Sequence, residues 1–222
     1  MEILHKSNIW IHIIAGSIAL VLGIIAILAN KGKRFHTQVG KGFLFFLSIV
    51  IFTGLFGVFV FGRNSFLLVI TLLSGYNGFS GYRVLQSKSN KPQLIDIIAS
   101  IICLMSVFYF LHYFNTIGMI WQPVIIHSTI GALLAIITYD FIKYFIPASK
   151  YKRLWLYEHI YKMIGAFSAL LAAFSGTVFK TYQPYSQILP SLIGIFLQIG
   201  FIIYFSKKNT KSDNSKIGIV KN

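Results

Sequence analysis

The sequence predicts an all-α, polytopic membrane protein: a bundle of seven transmembrane helices, N-terminus outside and C-terminus in the cytoplasm. Three observations predict it. Apolar residues make up 56% of the 222 positions and charged ones only 11%, where a water-soluble domain carries about 25% charged residues. The apolar residues gather in seven runs near the roughly 20 residues that a helix needs to cross a bilayer core. The basic residues fall almost entirely in alternate connections between those runs. The abundance of Phe, Ile and Leu also excludes a disordered chain.

Each span has its own signal. The first, roughly Ile9–Leu28, has an apolar core too long for a cleaved signal peptide, and its positive cluster follows it rather than precedes it. The second covers roughly Phe43–Phe61. The third, roughly Phe66–Tyr82, is the shortest and carries Ser74, Gly75, Gly78, Ser80 and Gly81 around Asn77, small residues that let helix backbones approach. The fourth, Leu94–Phe114, holds Cys103, the only cysteine, which reads as a small core residue because it has no partner for an internal disulfide. The fifth runs over Val124–Ile142. The sixth, Tyr161–Phe179, bears a stripe of Gly165, Ser168, Ala172 and Gly176 at spacings of three and four, and the seventh spans Ile188–Phe205. Residues 1–206 form one domain; residues 207–222 are polar and Lys-rich and are expected to be a disordered cytoplasmic tail.

Orientation follows from charge. Lys31, Lys33, Arg34, Lys41, Arg83, Lys88, Lys91, Lys143, Lys150, Lys152, Arg153, Lys207, Lys208, Lys211, Lys216 and Lys221 lie on one side, against Lys6, Arg63 and Lys180 on the other. The positive-inside rule makes the crowded side cytoplasmic. Lys162, a turn inside the sixth span, is expected to snorkel back toward that side. The net charge of +15 is explained by topology and by anionic lipids at the cytoplasmic face, so nucleic acid is not an expected partner. Trp10, Trp121, Trp155, Tyr109, Tyr113, Tyr151, Tyr157 and Tyr182 fall near span ends, as an aromatic belt does.

Several motifs resemble those of a family of uncharacterised bacterial integral membrane proteins. They are His12-x3-Gly16-x2-Ala19-Leu20-x2-Gly23 with Lys31-Gly32-x3-His36-x3-Gly40, then Ser80-Gly81-Tyr82-Arg83-x-Leu85 with Asp96, then His159-x3-Met163-x-Gly165-Ala166-Phe167-x-Ala169 with Ala173-Phe174. Thr37 departs from that pattern, in which Arg is expected after the histidine. The resemblance implies a multi-pass protein of the bacterial plasma membrane and brings no established activity.

Ionisable groups inside spans are rare and are functional candidates by default. His12, His112 and His127 form an outer histidine layer; His36 and His159 form an inner one, while His5 lies outside the bilayer. His12-x3-Gly16 and His127-x3-Gly131 make a faint repeat, each followed by a basic loop and a histidine at the next helix. Pairing His12 with His127 and His36 with His159 gives two stacked pairs, the ligand set that a two-haem b-type electron conduit needs. In this respect the chain is similar to cytochrome b561-type proteins. A metal site on His12, His112 and His127 is a second reading, since Zn and Cu accept imidazole. A third has the histidines merely bonding carbonyls or headgroups. The charged residues Arg83, Asp96, Asp140, Glu158 and Lys162 are expected to form an ion-pair network at the cytoplasmic ends, with Arg83 as the partner of Asp140 and Lys143 as the local alternative. A proton or ion path is the alternative for that network. No nucleotide-binding loop, H-E-x-x-H or G-x-S-x-G motif occurs. That leaves either haem-mediated electron transfer or a non-enzymatic transporter or structural component.

The charge asymmetry makes a direct prediction. A C-terminal reporter active only outside the cytoplasm stays silent; activity there would overturn the orientation.

Overall fold

The computed structural model describes residues 1–62, 66–117 and 122–219. Arg63, Trp121 and Lys221, used in the charge and aromatic arguments, lie outside them. Seven α-helices account for nearly all of the described chain: α1 (Glu2–Leu28), α2 (Arg34–Phe61), α3 (Phe66–Ser87), α4 (Leu94–Ile117), α5 (Pro123–Ile142), α6 (Ala148–Val178) and α7 (Tyr185–Ile219). No strand occurs among the described residues. All except α3 are long and apolar enough to cross a membrane. In α3 the apolar average is pulled down by Ser74, Asn77 and Ser80, all of which are buried inside the protein.

The helices outrun the predicted spans. Once a helix is nucleated, each added residue costs little, so α2 begins well before Phe43 and α6 begins at Ala148 rather than Tyr161. By the same logic α7 runs on to Ile219, past the expected end at Phe205 and through most of the segment expected to be disordered. Between α1 and α2 the chain turns at Gly32, whose φ of 77° lies in the left-handed region that glycine enters without strain. Lys31 closes α1 by donating from Nζ to the carbonyls of Ala26, Ile27 and Ala29, and partial burial pushes its pKa down from the usual value.

Contacts fix an antiparallel order. Asn8 and His12 near the start of α1 reach Thr53 late in α2, while His36 early in α2 reaches Ala26 late in α1. Ser74 bonds the Ala166 carbonyl and His159 bonds the Gly81 carbonyl, so α3 and α6 run in opposite directions over a long seam. One apolar cluster joins α1, α2 and α6 around Ala19, Leu47 and Phe167. A second joins α3, α4 and α5 around Val69, Val107 and Leu133. The α3–α6 seam connects the two. Helix α6 is the central element: 56% of its apolar window is buried, against 11% for α7. The outer faces carry exposed Phe52, Phe59, Met105, Phe108 and Phe196. Apolar residues outside and buried polar ones inside suit a bilayer solvent.

The small-residue faces of α3 and α6 meet each other. A Cβ on Gly81 would lie 2.9 Å from Cβ of Lys162, and one on Gly165 would lie 3.3 Å from Oδ1 of Asn77. Gly131 of α5 has nothing within 4 Å of its Cβ position. Gly81→Ala is therefore expected to destabilise the protein by about 1–3 kcal/mol through overpacking. Gly131→Ala is expected to stabilise it by about 0.5–1 kcal/mol through backbone entropy. Thermal unfolding in detergent reads both, and equal shifts would refute the seam.

Candidate functional site at the basic end of the bundle

The ends of α3, α4, α5 and α6 nearest the basic loops converge on four buried charges. Asp140 and Lys143 close α5, while Glu158 and Lys162 sit one turn apart on α6. The ammonium of Lys162 lies 2.5 Å from Oδ1 of Asp140 and 2.7 Å from Oε1 of Glu158. That of Lys143 lies 2.8 Å from each of the same two oxygens. Two cations and two anions thus alternate around a closed ring with no net charge.

The remaining carboxylate oxygens are also occupied. Asp140 Oδ2 accepts from the Tyr76 hydroxyl at 2.6 Å, and Glu158 Oε2 accepts from Tyr151 at 2.6 Å and Tyr139 at 3.3 Å. Tyr76 OH stands 2.7 Å from Ser100 Oγ, which donates to the Asp96 carbonyl. Beyond it, Arg83 pairs with Asp96 at 2.8 Å and bonds Gln93 and Gln86. Asn90 ties the adjoining loop down by donating to the carbonyls of Lys143 and Ile146. Lys162 has 0% exposure and Glu158 4%. Burying charges costs several kcal/mol per ion, and only complete pairing with further hydrogen bonds offsets it.

Three sequence expectations are corrected. Arg83 does not pair with Asp140: it lies farther out and takes Asp96, while Lys143 and Lys162 take Asp140. Lys162 does not snorkel outward, because two carboxylates hold it at zero exposure. Tyr151 was expected in the aromatic belt; it is 1% exposed and serves Glu158.

The histidines are only partly brought together. His12 Nδ1 lies 2.8 Å from Thr53 Oγ1, whose own proton goes to the Ile49 carbonyl. His112 and His127 are exposed on α4 and α5, and α5 packs on α3 and α4 whereas α1 packs on α2 and α6. No group of three or more His, Cys, Asp or Glu suited to a metal occurs among the described residues, so His12, His112 and His127 are not gathered as a metal triad. The inner pair differs. His36 Nδ1 donates to the Ala26 carbonyl at 3.1 Å and His159 Nδ1 to the Gly81 carbonyl at 2.9 Å.

Two hollows flank Tyr76 and Phe79. On one side a narrow polar cleft of about 10 Å³ runs from Arg83, Lys91 and Asp96 to Asp140 and Lys143, room for about one water. On the other side an apolar groove of about 530 Å³ lies between α2 and α3, with Cys103 of α4 at its back. The sequence did not single out Tyr76, Ser100 or Asn90. The only available signal was polar residues recurring on α3 at helical spacing, and that points equally to packing.

Together these features define a helical-bundle protein with six helices of membrane-spanning length and a buried, neutral charge ring at one end. No protein-family model, curated protein or solved structure matches the chain, so the family resemblance rests on the quoted motifs alone.

Each member of the ring needs the others. Glu158→Leu or Lys162→Met alone is expected to cost about 3–5 kcal/mol, since each strands a buried charge. The double variant leaves the balanced Asp140–Lys143 pair and is expected to cost clearly less than the sum. Additive losses in detergent unfolding would show that the ring is not one unit.

Proposed function

We propose that the chain is a seven-span integral membrane protein of the plasma membrane, N-terminus outside and tail in the cytoplasm, that binds and moves a membrane-dissolved small molecule without chemical conversion. In this reading α3 is the seventh span. Its polar residues face the bundle, so its low hydropathy costs nothing in lipid. The observation that carries the reading is the wall formed by Tyr76 and Phe79, shared between the apolar groove and the polar cleft. Tyr76 is anchored to the charge ring through Asp140. The ring thus holds shut a partition between a bilayer-side hollow and a cytoplasmic one. A groove of 530 Å³ falls within the roughly 300–1,000 Å³ of small-molecule sites.

One observation favours a second reading, haem-mediated electron transfer. With Nδ1 protons given to carbonyls, neutral His36 and His159 each keep a lone pair on Nε2, the tautomer that axial ligation requires. Haem b on this inner pair is the form of the electron-transfer reading that the geometry favours. Protein made with adequate haem supply is expected to be colourless; a haem absorption band lost in both His36→Ala and His159→Ala would replace the transport reading with this one.

Cys103, the only thiol and a groove residue, reports on the partition. A charged, water-soluble thiol reagent is expected to leave Cys103 unmodified in wild-type membranes and to react from the cytoplasmic side in Tyr76→Ala. Equal reactivity in the two proteins would sink the partition.

A further inference from the structure

The groove between α2 and α3 has a direction. At one end stand Lys41 and Tyr82, and toward the other Phe52 and Thr71. Between them the walls are apolar, with Leu44 and Ile51 among them. Lys41 and Phe52 are eleven residues apart on one helix, which at 1.5 Å per residue is about 16 Å. One leaflet of a bilayer core measures about 15 Å, half of roughly 30 Å. Lys41 lies just before the span read from Phe43, and Tyr82 closes the span read from Phe66. The cation thus sits at the headgroup level of the cytoplasmic leaflet and the apolar trough runs one leaflet deep beneath it.

Lys41 is exposed and makes no ion pair among the described residues. A second copy of the chain is a poor partner for it. Of the five acidic residues, Glu2, Asp96, Asp140 and Glu158 are already paired within the chain, and the side chain of Asp213 lies outside the described residues. The charge complement must come from elsewhere. Anionic phospholipid is what the cytoplasmic leaflet supplies.

We infer that the α2–α3 groove binds a phospholipid of the cytoplasmic leaflet that carries net negative charge, its phosphate at Lys41 and one acyl chain along Leu44, Ile51 and Phe52. This rests on the transport-type membrane reading and names the chemical class that the groove takes. Tyr82 gives the headgroup a second polar contact surface. The opening of the groove toward the bilayer lets the other acyl chain remain in lipid.

Native mass spectrometry of the full chain, released from detergent with equimolar phosphatidylglycerol and phosphatidylcholine of the same acyl chains, tests this. Wild type is expected to retain phosphatidylglycerol over phosphatidylcholine by about five-fold, the effect of one surface lysine. Lys41→Gln brings the ratio near one and Lys41→Glu inverts it. Ser48→Trp, which fills the groove from an exposed position, removes both lipids. Equal retention by wild type, or a preference that survives Lys41→Glu, overturns the assignment. So does a lipid-free dimer that Ser48→Trp dissociates, which would make a second copy the occupant. Unchanged melting of the variants excludes misfolding as the cause. Recovery of the chain from the aqueous fraction without detergent would defeat the membrane reading itself; lost selectivity in a chain still extracted from membranes defeats only the lipid site.

Discussion

Lys162 holds a positive charge at a position with no accessible surface, and it is kept there by Asp140 and Glu158 at 2.5 and 2.7 Å. In a low-dielectric interior such an ion is tolerated only when its charge is cancelled locally and every remaining polar atom is bonded. Lys143 completes the cancellation and three tyrosines complete the bonding. This requirement fixes a great deal. Lys162 and Glu158 must face α5, so the opposite flank of α6 is turned to α1, and Ser74 and Gly81 of α3 pack against its intermediate face. Tyr76 must reach Asp140, which draws α3 over the end of α5 and sets the wall between the groove and the cleft.

The two histidine layers are subject to a different constraint. His36 and His159 each give the Nδ1 proton to a carbonyl on a neighbouring helix, and His12 Nδ1 shares a hydrogen bond with Thr53 of α2, so these side chains serve as ties between antiparallel helices whatever else they do. Helix α5 is held by the charge ring and by its apolar contacts to α3 and α4.

Much of this was legible in the sequence, in proportion to how local the controlling physics was. Six of the helices follow from apolar runs of bilayer length and α3 from a shorter run, and the small-residue faces of α3 and α6 follow from their spacing, because both are properties of single segments. The pairing of Glu158 with Lys162 was readable from their separation of four. The partner of Asp140 was not: choosing Lys162 over Arg83 depends on the rotation of α6 against α5, which no single segment records. Tyr151, near the start of α6, was read as an interfacial anchor, and Tyr76, in the middle of α3, escaped notice because a mid-helix tyrosine reads as packing until its hydroxyl is seen to meet a carboxylate.

The whole basic end depends on the ring being ionised and closed, two carboxylates facing two ammonium groups, rather than a pair of neutral acids and amines. Infrared spectroscopy of the protein in lipid reads this directly. With each carboxylate facing two ammonium groups, no protonated carboxyl band assignable to Asp140 or Glu158 is expected, and Asp140→Asn and Glu158→Gln each remove only carboxylate absorption. A protonated carboxyl band present in wild type and lost in either variant would contradict it.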